Sequence, residues 1–296
     1  MEKQKKAYLY AGIAVLFWST CASAFKISLR HIDVFPLLFC ASITSTAAFF
    51  VCLLFSKKLN LLKDLSRRDY VHSALLGSLN PFLYYVVLFK AYSLLPAQEA
   101  QPLNFIWPLT LVLLSIPLLK QKISPRDVLA TIICFAGVLV ISTRGDILAL
   151  KFTDTVGVSL ATGSSIIWSL FWIYNVRDKR DEAVRLFLNF AFGSVVTLAS
   201  MLLLTNVRIP DVSGIIGAVY VGLFEMGITF LLWLKALKLS KTTAHVTNLI
   251  YMVPFLSLVM ISFAVGEKIR PSTIAGLVFI VGGIVLQRLR SKSERK

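Results

Sequence analysis

Two stretches of this chain, Leu103–Leu119 and Val128–Thr143, run without a single charged side chain. A run like that belongs in lipid, where no water meets the backbone and every N–H and C=O must be paired inside the protein. About 20 mostly apolar residues in a helix satisfy that demand and span the hydrocarbon. Ten segments qualify: 7–28, 35–56, 71–94, 98–119, 127–143, 155–175, 184–205, 213–236, 243–265 and 272–289. Composition agrees, since 57% of residues are apolar and 16% charged, against about 25% charged in soluble domains. The connections are short and leave no room for a sizeable soluble domain. The expected fold is therefore all-α and integral to the membrane.

The chain also repeats itself about 146 residues apart. Gln121-Lys122-Ile123-Ser124-Pro125 is answered by Glu267-Lys268-Ile269-Arg270-Pro271, and Gly137 by Gly283. Trp107-Pro108 aligns with Val253-Pro254 at the same offset, and Trp18-Ser19 with Trp168-Ser169 at 150. Phe89-Lys90-Ala91 answers Leu234-Lys235-Ala236 with one residue of slippage. Two five-helix repeats, 1–145 and 146–296, follow. With an odd number of spans in each, the second must enter the bilayer from the opposite side. Inverted repeats of that kind build two interconvertible gates around a central cavity.

Net charge is +16, which could point to nucleic acid, but its distribution does not. Of the 31 Lys and Arg residues, 23 fall on the side of both termini and 8 on the other. Positive residues mark the cytoplasmic side, so both termini are expected in the cytoplasm of a bacterial inner-membrane protein. Lipid headgroups remain a minor partner for the basic patches. Cys21, Cys40, Cys52 and Cys134 sit in apolar segments without ligand spacing, implying neither disulfide nor metal. The Lys-rich start, short apolar run and Ala22-Ser23-Ala24 mimic a signal peptide. Cleavage there would leave nine spans and break the symmetry, so the first segment is expected to be a span.

Enzymatic patterns are missing: no His-Glu-x-x-His, Gly-x-Ser-x-Gly or P-loop occurs. No cofactor is implied. A polytopic lipid-modifying enzyme is the rival class, and it lacks a nucleophile–base pair or metal constellation. Candidate binding residues are aromatic and amide side chains at predicted mid-span. Trp18 and Trp107 lie where no interfacial belt exists, and Trp168 is intermediate; Trp172 and Trp233 read as belt residues. Asn104 and Trp107, three apart, would share a helical face next to Phe105. Tyr84 and Tyr85 with Asn80 on span three, and Tyr251 with Asn248 on span nine, could complete a pocket. Interhelical hydrogen bonding is the alternative role for the asparagines.

Pro108 and Pro254, near the middle of equivalent spans, are candidate hinges; Pro81 is a third interruption. Glu225 lies mid-way along span eight, where a charge costs at least about 3 kcal/mol. It must face a wet cavity, pair with a cation or stay protonated, and each option makes it a candidate for proton coupling or cation recognition. Glu99 and its repeat mate His245 are candidate gate residues on opposite sides, with solvated helix ends as the alternative. Lys90 and Lys235 are expected to reach the headgroups along their alkyl stems.

Taken together, these residues resemble the drug/metabolite transporter superfamily, in its ten-span branch of two EamA-type repeats. Within it, Leu16-Phe17-Trp18-Ser19-Thr20 and Asn104-Phe105-Ile106-Trp107-Pro108, with Glu99 five positions upstream, look like the bacterial aromatic amino-acid exporters. The resemblance implies a central cavity lined by Tyr84 or Tyr85, Phe105, Trp107 and Trp168. Glu225 has no counterpart in that pattern. The implied activity is export of small amphipathic metabolites, aromatic amino acids first, by alternating access. A cationic drug or polyamine drawn to Glu225 is the alternative cargo.

Overall fold

The computed structural model describes residues 2–119, 125–148, 152–205, 210–240 and 248–288. Among the described residues all regular structure is helical. The helices are α1 (Glu2–Ser28), α2 (Val34–Phe55), α3 (Arg67–Gly77), α4 (Tyr84–Leu94), α5 (Ala97–Asn104), α6 (Trp107–Leu119) and α7 (Pro125–Ser142). Then follow α8 (Thr155–Arg177), α9 (Glu182–Leu204), α10 (Val212–Val221), α11 (Ile228–Leu239), α12 (Val253–Met260) and α13 (Pro271–Arg288). Six helical segments are long and apolar enough to cross a membrane: α1, α2, α3 with α4, α8, α9, and α10 with α11. Among the described residues the other predicted spans are covered by shorter or interrupted helices, and 243–247 of the ninth lie outside those residues.

Polar residues start the helices. Ser66 and Asp69 form a reciprocal capping box at α3, while Asp154, Asp181 and Asp211 accept the first free N–H groups of α8, α9 and α10. Such caps supply partners for donors that have none within the helix. Asp181 also takes a 2.7 Å hydrogen bond from Lys58 across to the first half. Burial pushes its carboxyl up, but the Lys58 bond and charge and the α9 N–H groups outweigh this and hold it below the usual 3.8. Its contribution to stability is thus present above that value and is lost as pH falls through the depressed one.

Two spans are broken by widened turns. Ser78–Leu83 separates α3 from α4, with extended backbone at Asn80; Gly222–Gly227 separates α10 from α11. Carbonyls that lose their helical partner in lipid must be caught by neighbours. The second break is held by the first half: Ser45 Oγ on α2 donates to the Gly222 carbonyl at 2.8 Å. Trp18 Nε1 on α1 donates to the Glu225 carbonyl at 3.2 Å.

The predicted fourth span is itself split, α5 ending at Asn104 and α6 starting at Trp107. Asn104 and Trp107 therefore do not share one continuous helical face. Pro108 and Pro254 each occupy the second position of a helix rather than its middle. A missing N–H is harmless there and the fixed φ suits the first turn.

Close contacts relate the two halves reciprocally. A Cβ on Gly137 of α7 would lie 2.5 Å from the Gly276 carbonyl of α13, and one on Gly276 would lie 2.6 Å from the Gly137 carbonyl. Gly283 approaches Ala130 in the same way, at 2.8 Å, so α7 and α13 run antiparallel. Gly77 lies against the Asn189 carbonyl of α9, and Gly222 against the Ala41 carbonyl of α2.

Two stability predictions follow from these contacts. Gly276→Val should lower the unfolding free energy of detergent-purified protein by about 1–3 kcal/mol through overpacking. Gly282→Ala, which meets no atom within 4 Å, should not. Trp18→Phe, keeping a ring but losing the N–H to Glu225, should cost about 1–3 kcal/mol. A thermal melt unchanged from wild type would show that the carbonyl does not need Trp18.

Candidate functional site

Aromatic residues from both halves meet around one cavity of about 90 Å³. Its rings come from α1 (Trp18, Phe25), α4 (Tyr84, Tyr92), the α5–α6 break (Phe105), α6 (Trp107) and α8 (Trp168). Tyr84, Tyr92, Phe105 and Trp168 are buried among the described residues, whereas outward positions of the helices, such as Leu16 on α1 and Ile166 on α8, are exposed. Trp168 is the hub: its ring centre lies 4.7 Å from Tyr84 and 6.4 Å from Trp107. The Trp168 indole N–H has no partner among the described residues. Such rings offer flat apolar faces with outward negative potential, suited to another ring or to a cation.

Polar groups are few. Asn104 lines the cavity, but its amide already accepts from Tyr84 Oη at 3.4 Å and donates to Ser164 Oγ at 2.8 Å. Glu225, carried on the Gly222–Gly227 turn, is the only charged side chain among the described lining residues. Its Oε1 accepts from Tyr85 Oη at 3.1 Å, and none of the ion pairs among the described residues includes it. A carboxylate in such a place is costly unless a proton or a ligand cation neutralises it.

At about 90 Å³ the space holds a few waters, each taking roughly 30 Å³ of liquid. Small-molecule sites occupy roughly 300–1,000 Å³. The cavity in this structure is small beside such sites.

On one face, the α4–α5 corner is closed by residues that follow α7 or precede α13. Glu99, 1% exposed, accepts on Oε1 from Arg144 Nε at 3.2 Å and also from Arg270. Glu267 reaches back to accept from the Ala97 and Gln98 backbone N–H groups at 2.9 and 3.1 Å, capping α5. Gln98 Oε1 accepts from the Arg270 backbone N–H at 2.9 Å, and its Nε2 donates to the Lys268 carbonyl at 3.0 Å. Lys26 Nζ donates to the Tyr92 and Leu95 carbonyls, holding the end of α4.

Several expectations change against this geometry. Glu99 is a buried member of an ion-pair seal and not a solvated helix end. Trp233 meets Trp18 edge-on at 5.3 Å and Trp172 meets Trp168 edge-on at 5.8 Å, extending the inner aromatic cluster instead of forming belts. Lys235 Nζ sits 5.0 Å from the Tyr10 ring centre. Tyr85 stands behind Glu225, and half-buried Tyr251 packs on the core outside the lining. His245 lies outside the described residues, as do Gln121–Ser124 of the repeated motif. Sequence reasoning missed Cys21, Phe25, Tyr92 and Gln101 in the lining, and Arg144, Glu267 and Arg270 in the seal. Heptad-like spacing from Trp18 to Phe25 and from Tyr85 to Tyr92 was the available signal for two of the rings. Among the described residues no group of three metal-ligating side chains occurs.

Comparison with known proteins supplies the family. An uncharacterized transporter of Clostridium kluyveri is 23% identical over 97% of this chain and 94% of its own length. A protein of Ancylobacter novellus named aromatic amino acid exporter YddG is 26% identical over 71% of this chain and 74% of its own. A solved crystal structure at 23% identity superposes with a TM-score of 0.67, covering 99% of both chains, and so shares the fold. The sequence pattern of the EamA-like transporter family matches residues 5–143 and again 155–288. The chain is a membrane transporter of the EamA-like family, built from two copies of that family's unit.

Proposed function

We propose that this transporter exports small ring-bearing metabolites carrying an amino group, aromatic amino acids first, by alternating access across a bacterial inner membrane. The carrying observation is the cavity itself, where Trp18, Tyr84, Phe105, Trp107 and Trp168 converge on one carboxylate between the two halves. The cargo ring stacks on Trp107 and Trp168, and its polar end meets Asn104 and Glu225. The name of the Ancylobacter novellus relative supports the amino-acid reading.

In this reading the chain crosses the bilayer ten times, as inverted repeats 1–145 and 146–296. The reciprocal Gly137–Gly276 and Ala130–Gly283 contacts support it. Equivalent helices that meet antiparallel are related by a two-fold axis across their length, which in a bilayer lies in the membrane plane. The 23-to-8 charge asymmetry puts both termini in the cytoplasm and the Glu99–Arg144–Arg270 seal outside. His245, the repeat mate of Glu99, is the candidate residue for the second gate. Pro108 and Pro254, at the starts of α6 and α12, are the hinges, and Glu225 is the group that would couple transport to protons.

A second cargo reading rests on Glu225 being the only charged side chain among the described lining residues: a cationic drug or polyamine, held by the carboxylate and the surrounding ring faces. Efflux of labelled phenylalanine and of phenethylamine from vesicles, with and without a pH gradient, separates the two. Trp107→Ala should reduce phenylalanine efflux several-fold, and equal rates would remove Trp107 from the pocket. Glu225→Gln abolishing phenethylamine efflux while sparing phenylalanine would decide for the cationic cargo.

A further inference from the structure

The two broken spans are repeat mates, and they break at matched places. The 145-residue offset that aligns Lys90 with Lys235 also aligns Gly77 with Gly222 and Asn80 with Glu225. Both glycines are points where a neighbouring backbone comes close. A Cβ on Gly77 would lie 2.2 Å from the Asn189 carbonyl of α9, and one on Gly222 would lie 2.5 Å from the Ala41 carbonyl of α2. Ala41 and Asn189 are themselves related by an offset of 148. Each broken span thus crosses the other half at an equivalent place, with the same kind of glycine contact and a polar side chain three residues on.

What differs is the setting of that side chain. Glu225 lines the cavity. Asn80 is fully buried away from it, and neither its Oδ1 nor its Nδ2 has a partner among the described residues. An unpartnered buried amide is costly, and more so in a wholly apolar medium. Asn189, whose carbonyl meets Gly77, likewise has a buried amide without a partner among the described residues, so this break carries polar groups that its present packing does not use.

We infer that Asn80 is a second cargo contact, the mirror of Glu225, turned to the cavity when the transporter faces the opposite way. The inference rests on the alternating-access reading. In inverted repeats the two halves exchange conformations between states, so the break that faces the cavity in one state is withdrawn in the other. The cargo's protonated amine then meets an ionised carboxylate in one state and a neutral amide in the other. A ligand biases a two-state equilibrium only through its differential affinity for the two states. The Glu-for-Asn exchange between mirror positions supplies such a difference, holding the amine on one side and releasing it on the other.

The test uses the full-length chain in vesicles of both orientations. In a background with Cys21, Cys40, Cys52 and Cys134 replaced by Ser, Asn80→Cys and Glu225→Cys are each labelled with a membrane-impermeant methanethiosulfonate. Each is compared with the seal intact and with it broken by Glu99→Gln and Arg270→Gln. Breaking the seal should raise the labelling rate at position 80 several-fold and lower it at position 225. A fall at 225 with no change at 80 overturns the inference and leaves alternating access standing. No change at either position overturns both. Asn80→Asp, with all native cysteines present, gives an independent readout. It should strengthen phenethylamine competition several-fold on the face that position 80 serves and slow release there. An unchanged KM on both faces would overturn the inference.

Discussion

A helix that breaks inside a bilayer must find new partners for its freed carbonyls, and the rest of this structure is arranged around that requirement. At the α10–α11 break the partners come from the other half: Ser45 holds the Gly222 carbonyl and Trp18 the Glu225 carbonyl. The same turn that needs these donors carries Glu225 into the cavity. Satisfying the backbone and placing the one charged group among the described lining residues are thus a single structural act. Trp18 serves twice, its indole N–H committed to the break and its ring to the cavity wall.

The seal answers a related problem with charge. Glu99 is buried, so its carboxylate needs partners, and two arginines from distant parts of the chain converge on it. Glu267 approaches from the second half to the first turn of α5, where free N–H groups and the helix dipole favour an anion. Glu99 is the buried member and both arginines are partly exposed, so removing the arginines would leave its carboxylate uncompensated.

Much of this was legible in the residues. Charge-free runs dictated helices, because lipid offers the backbone no other partner. The offsets linking Trp18 to Trp168, Lys90 to Lys235 and Gly137 to Gly283 revealed the duplication, and the family pattern matches twice accordingly. Mid-span position singled out Trp18, Trp107 and Glu225, since a large indole or a carboxylate at that depth must face something other than lipid, and Trp168, of intermediate depth, is matched to Trp18 by the repeat. All four line the cavity.

Other features were decided only by tertiary structure. Periodicity places a residue on a face, but whether Trp172 and Trp233 met lipid or other rings depended on neighbouring helices. Pro108 and Pro254 announced interruptions, yet whether they bent a helix or began one depended on how the preceding turn was satisfied. Glu99 looked solvated because its partners, Arg144 and Arg270, are remote in sequence and reach it only through folding. Local sequence dictated what each segment must do to enter a bilayer. Which long-range partners would discharge the buried charges and broken backbones was settled by packing, because those contacts join residues that no local spacing relates.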